Sequence, residues 1–162
     1  MWEKTVLLLL LIVANGAPIL VAWRLGPRWD WPLDAGLVLR DGRRLLGESG
    51  TLRGLVAAVV ATALLAWVLG LGAGTGALIG LLAMAGDALS SFIKRRLGLP
   101  PGAKATGLDQ VPEALLPLLV VAGPLGLKLP WLDLVLLVAA FTLFDMVVSG
   151  PLYRLHLRRQ PH

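Results

Sequence analysis

Asp87, Ser90, Ser91 and Lys94 recur at three- and four-residue spacing in the run Gly86-Asp87-Ala88-Leu89-Ser90-Ser91-Phe92-Ile93-Lys94-Arg95-Arg96. On a helix this spacing sets them on one face, where they bring together a carboxylate, hydroxyls and an ammonium, with guanidinium groups at the end. A Pro/Gly loop, Pro100-Pro101-Gly102, follows, and Gly107-Leu108-Asp109-Gln110 opens the next apolar run. Carboxylates with hydroxyls, and no Cys or His among them, suit a hard cation such as Mg²⁺ that keeps waters and phosphate oxygens. Adjacent Lys and Arg suit the phosphates themselves. Asp87 and Asp109 are thus the candidate metal ligands, with Ser91, Lys94 and Arg95 beside them.

An upstream stretch adds Asp41-Gly42-Arg43-Arg44-Leu45-Leu46-Gly47 and Thr51-Leu52-Arg53-Gly54. Its glycines permit close backbone approach, and its arginines can hold polyanions. Arg43, Arg44 and Arg53 are expected to help hold substrate phosphates. Asn15 and Pro18 lie inside an apolar run, where proline removes one helical hydrogen bond. A kinked helix at a wet cavity and plain helix packing through Gly16 both fit this pattern. Anchoring of the basic loops to anionic headgroups would explain the arginines, but it does not explain Asp87. Arg96, turned further round the helix than Lys94 and Arg95, is expected to be the interfacial anchor.

The elements that carry these residues are membrane spans. Of 162 residues, 57% are hydrophobic and 15% charged, against about a quarter charged in soluble domains. The apolar residues fall in runs near the roughly 20 needed to cross a bilayer: about Thr5–Trp23, Gly54–Leu71, Ala77–Ile93, Pro112–Leu127 and Trp131–Ser149. The expected fold is all-α, a polytopic membrane protein of about five transmembrane helices forming a single integral membrane domain over 1–162, with two polar loops. The first run lacks a small-x-small cleavage site and reads as a retained span.

Thirteen of the fifteen Lys and Arg lie in 24–53, in 94–104 or after 150; only Lys4 and Lys128 lie elsewhere. The positive-inside rule then expects both polar loops and the C-terminus in the cytoplasm and the N-terminus outside. Tryptophans 2, 23, 29, 31 and 131 fall near span ends, as headgroup-level anchors do. The basic pI near 10.5 reads as retained cytoplasmic loops and not as nucleic-acid binding. With no cysteine, disulfides and thiol ligands are excluded. Asp87 and Asp145 lie within apolar runs, at a cost of about 2.5–3.5 kcal/mol for a charge at the centre of a span. Asp87 stands about 10 Å from the basic end of its helix, within reach of a cavity open to the cytoplasm. For Asp145, structural pairing and function weigh equally.

Gly86-Asp87-x-x-x-Ser91-x-x-Lys94-Arg95 with Leu108-Asp109 resembles the signature of the CDP-diacylglycerol synthases. The short five-span build, Asn15-x-x-Pro18, and the loop from Asp41-Gly42-Arg43-Arg44 to Thr51-x-Arg53-Gly54 are more similar to the CDP-archaeol synthase branch. The resemblance covers roughly the whole chain. It implies a membrane-embedded cytidylyltransferase that uses CTP and Mg²⁺ to convert a membrane lipid phosphate, archaetidic acid-like or phosphatidic acid-like, to CDP-lipid and pyrophosphate. It implies roles for Asp87, Ser91, Lys94, Arg95 and Asp109 in catalysis, and for Asn15, Asp41, Arg43, Arg44, Thr51 and Arg53 in binding. A non-catalytic transporter or scaffold with a polar cavity is the alternative. The sequence leaves the oligomeric state open.

Overall fold

The computed structural model describes residues 2–101, 103, 105–123 and 129–154, with side-chain surroundings up to 150. Lys104, Lys128, the end of the fourth expected span and the basic tail side chains lie outside the described residues. Among the described residues the chain forms five helices: α1 (Trp2–Leu25), α2 (Leu52–Val68), α3 (Ala73–Arg96), α4 (Gln110–Ala122) and α5 (Trp131–Arg154). The protein is an all-α membrane protein. Helices α1, α3 and the described part of α5 are long and apolar enough to cross a bilayer. At about 1.5 Å per residue, the 17 residues of α2 and the 13 of α4 are shorter than those three. Helix α1 runs without interruption through Pro18.

An apolar cluster forms where α1 and α5 begin. Val6, Leu7, Leu10 and Leu11 of α1 share it with Leu134, Leu137 and Phe141 of α5, and with Leu118 and Val121 of α4. Lys4 and Asp133 form an ion pair of 2.6 Å at this end. Helix α3 packs on α1, α2 and α4, while α5 packs on α4 and α1. One glycine sets the α3–α4 approach. A Cβ on Gly86 would stand 2.3 Å from the carbonyl oxygen of Pro112, a backbone atom that cannot swing aside. The glycine next to Asp87 therefore brings the polar end of α3 against the first turn of α4.

The connection from α1 to α2 is irregular but ordered by hydrogen bonds. Isolated antiparallel bridges join Pro32 to Thr51 and Val38 to Arg44. Thr51 is the N-cap of α2: its hydroxyl accepts from the Gly54 amide at 3.2 Å, one of the donors that a helix start otherwise leaves unpaired.

Candidate active site

A cavity of about 690 Å³ opens at the opposite end of the bundle from the apolar cluster. It is bounded by the second half of α1, the start of α2, the second half of α3, the start of α4 and Asp145 of α5. Such convergence is what alternating helix direction dictates: α1, α3 and α5 finish where α2 and α4 begin. One part of its lining is apolar, formed by Pro18, Ile19, Ala22 and Trp23 of α1 with Met84 of α3. Another carries Asp87, Lys94, Asp109, Gln110 and Glu113.

The first turn of α4 ties this end together. Lys94 Nζ pairs with Asp109 Oδ1 at 2.6 Å. Asn15 Nδ2 donates to Glu113 Oε2 at 3.1 Å, and Gln110 Nε2 donates to Asp145 Oδ2 at 3.0 Å. Three different helices, α3, α1 and α5, are thus tied to the start of α4 by polar contacts. Asp109 is fixed further by the Ala105 amide, which donates to Oδ2 at 2.9 Å. Its buried Oδ1 has the Lys94 ammonium as ion-pair partner but no aligned hydrogen bond.

Of the residues singled out in the sequence, Asn15, Thr51, Arg53, Asp87, Lys94 and Asp109 border the cavity. Arg53 is largely buried; it pairs with Asp30 at 2.7 Å and donates to the carbonyls of Gly26 and Arg28. The one-face expectation for α3 holds for Asp87 and Lys94 but not for the serines. Ser90 and Ser91 are buried and absent from the cavity wall, and Ser90 donates back to the Asp87 carbonyl at 2.8 Å.

The arginine pairs take a different place from the one their charge suggested. Arg43 donates to the carbonyls of Arg95 (3.2 Å) and Arg96 (2.7 Å), which satisfies backbone acceptors at the end of α3. Arg96 returns the contact, pairing with Asp41 at 2.6 Å and donating to the Arg44 carbonyl at 2.5 Å. Its guanidinium also lies over the Phe92 ring, 5.3 Å from the centroid. The expectation that Arg96 is a plain interfacial anchor is therefore incorrect. The backbone carbonyls and the Asp41 carboxylate compete for it, and it locks the α1–α2 connection onto α3. Arg95 is buried, donates to the Pro100 carbonyl at 3.0 Å and packs by Gly47. Arg43, Arg44, Asp41 and Arg95 do not border the cavity.

Two residues were missed. Glu113 is buried at the cavity and carries the α1–α4 link; a carboxylate inside an expected span, here Pro112–Leu127, is the same signal that exposed Asp87. Asp34 is the hub of the α1–α2 connection, pairing with Arg44 at 2.7 Å and accepting from the amides of Gly36, Leu46 and Gly47. Burial pushes the Asp34 carboxyl up, but Arg44 and the amides of Gly47, Leu46 and Gly36 outweigh it and hold the group well below the usual carboxylate range.

These features define a helical membrane protein with a polar cavity at one end of its bundle. The family model for CarS-like CDP-archaeol synthase matches residues 4–74 and 72–162. CDP-archaeol synthase of Aeropyrum pernix is 35% identical over 165 residues, covering 98% of this chain and 91% of that one. The enzyme of Pyrobaculum calidifontis is 36% identical, covering 92% of this chain and 90% of its own. That of Methanopyrus kandleri is 51% identical over 90 residues, about half of each chain. A solved structure described as an intramembrane enzyme for archaeal membrane lipids biosynthesis superposes with a TM-score of 0.75 at 36% identity, over 92% of this chain and 94% of that one. The chain belongs to the CDP-archaeol synthase family.

Proposed function

We propose that this protein joins CTP to a membrane lipid phosphate, archaetidic acid-like, releasing pyrophosphate and leaving a CDP-lipid. One observation carries the reading: a single cavity is lined both by charged groups, Asp87, Lys94 and Asp109, and by apolar side chains of α1 with Met84. A soluble nucleotide and a lipid must meet at such a boundary. In the reaction, an oxygen of the lipid phosphate bonds to the α-phosphorus of CTP as the bond from that phosphorus to the bridging oxygen breaks. The attacking oxygen is already ionised at neutral pH, so the task of the protein is positioning and charge neutralisation.

Lys94 Nζ is the cavity cation suited to the reacting phosphates. In this arrangement it rests on Asp109, so phosphate binding exchanges one anionic partner for another. Arg53, held by Asp30 and two carbonyls, stiffens the wall next to Thr51 and presents positive charge from a fixed position. Asp87 and Asp109 would hold Mg²⁺; the buried Asp109 Oδ1 without an aligned hydrogen bond suits a metal ligand. An ion held by one or both of these carboxylates would complete its coordination with waters and substrate phosphates. Mg²⁺ would supply charge neutralisation on the phosphates.

The cavity end faces the cytoplasm in this reading, in keeping with the distribution of Lys and Arg. Reporter fusions at Gly74 and His162 are expected on opposite sides, outside and inside respectively; the same side for both contradicts the orientation. Incubation of the purified protein in detergent with labelled CTP, Mg²⁺ and each lipid phosphate in turn tests the reaction. Label should enter an isoprenoid-ether lipid, with pyrophosphate released one for one. Label in a fatty-ester lipid alone would reassign the substrate, and no lipid product from any acceptor would refute the reading.

A further inference from the structure

Gln110 is buried at the first residue of α4 and uses both ends of its carboxamide. Its Oε1 accepts from the Gly107 amide at 3.0 Å, and its Nε2 donates to Asp145 Oδ2 on α5 at 3.0 Å. Gly107 has φ +88, a backbone conformation that glycine adopts without strain, and it lies within the turn that holds Asp109. In that turn the Ala105 amide donates to Asp109 Oδ2, and the Asp109 amide donates to the Ala105 carbonyl at 3.0 Å. Asp109 Oδ1 then meets Lys94 of α3. A continuous polar chain therefore runs from α5 through Gln110 and the 105–109 turn to the charged wall.

We infer that Gln110 and Asp145 are a positioning pair: Asp145 orients the Gln110 carboxamide, and Gln110 fixes the turn that presents Asp109 to Lys94. The chemistry dictates the side chains. A neutral group that accepts at one end and donates at the other is needed between a backbone amide and a carboxylate; an amide meets this requirement and a carboxylate does not. With its donor partner in place, Asp145 has a defined partner inside the bundle, which a carboxylate within a span needs. Asp145 acts through Gln110 and not on the reacting phosphates. This inference rests on the cytidylyltransferase reading for its catalytic readout, and its geometric content is tested separately.

The test is a polarity swap. Gln110→Glu keeps the acceptor for Gly107 but sets a carboxylate against Asp145. Adding Asp145→Asn restores a donor opposite the new acceptor. The expected result for Gln110→Glu is a fall in kcat of about tenfold or more, the scale of one lost charge-assisted bond, with the KM for CTP little changed. The double variant should recover most of that loss. A double variant no better than Gln110→Glu overturns the inference and returns Asp145 to a direct role. Should Gln110→Glu fail to fold, Gln110→Met removes both hydrogen bonds without adding charge; wild-type kcat in that variant also overturns it.

The chain has no cysteine, so spin labels at Arg40→Cys and Thr106→Cys, both exposed, report the placement of the turn without reference to activity. Their distance distribution should broaden in Gln110→Glu and narrow again in the double variant. An unchanged distribution in Gln110→Glu refutes the inference even if the enzyme is active. Narrowing in the double variant supports it even if no CDP-lipid forms, in which case only the reaction assignment fails.

Discussion

Where α1 and α5 begin, Val6, Leu7, Leu10 and Leu11 belong to one apolar cluster with Leu134, Leu137 and Phe141, and the ion pair of Lys4 with Asp133 stands beside it. In the second half of the same two helices, α1 presents Asn15 to Glu113 and α5 presents Asp145 to Gln110. The first end is held by many weak, non-directional contacts, each worth about 0.1–0.2 kcal/mol per atom pair. The second is held by a few directional ones between named polar groups. Removing one methyl from the first end leaves its neighbours in place, whereas removing one partner from the second leaves a buried polar group unsatisfied at about 1–3 kcal/mol. The contrast separates what assembles the bundle from what shapes the cavity, and it can be broken at specific residues.

The largest effect should come from Gly86→Leu, because a Cβ there would meet the Pro112 carbonyl oxygen at 2.3 Å and force α3 and α4 apart. Loss of both thermal stability in detergent and activity is expected; a stable, active variant would show that the α3–α4 approach does not position the site. Next come Lys94→Ala and Arg96→Ala, which the sequence alone ranked by helix face. Lys94→Ala should lower kcat/KM by roughly 10- to 150-fold, the equivalent of about 1.5–3 kcal/mol. Arg96→Ala removes the hold of the α1–α2 connection on α3, so it should speed proteolysis within 26–51 while kcat/KM falls less. An Arg96→Ala variant worse in kcat/KM than Lys94→Ala would reverse the assignment.

The smallest effect concerns acid. The Asp34 carboxyl titrates below its unfolded value of about 3.9. Its contribution to the α1–α2 connection is therefore complete at neutral pH and is lost as pH falls through the depressed folded value. Resistance of 26–51 to an acid-active protease should persist down to the ordinary carboxylate range and fail below it. Asp34→Asn should show the weakened connection at neutral pH already; identical profiles for the two proteins would remove Asp34 as the hub.

The helices were legible because long apolar runs have few alternatives in a bilayer: α1 and α3 extend beyond the expected spans by single turns. The start of α4 fell within two residues of expectation, at Gln110 against Pro112, its polar Gln110 and Glu113 blurring the edge of the apolar run. At the site, Asp87, Lys94, Asp109 and Asn15 were legible by residue type and setting. The arginines were legible as charge but not as contacts, because Arg43 and Arg96 bind backbone carbonyls more than fifty positions away, and no spacing rule encodes that. Asp34 gave no signal because its partners, Arg44, Leu46 and Gly47, converge on it only through the folded turn. The Gln110–Asp145 contact joins residues 35 apart on different helices, again outside any local periodicity.

The central claim is that the charged wall of the cavity performs the transfer while the apolar end only assembles the helices. Its most direct test is label transfer from CTP to an isoprenoid-ether lipid phosphate, at ordinary Mg²⁺, by wild type and by Asp87→Asn at matched amounts of folded protein. The expected result is CDP-lipid from the wild type and none above background from Asp87→Asn, with equal thermal stability for both. Near-normal turnover by Asp87→Asn would contradict the claim.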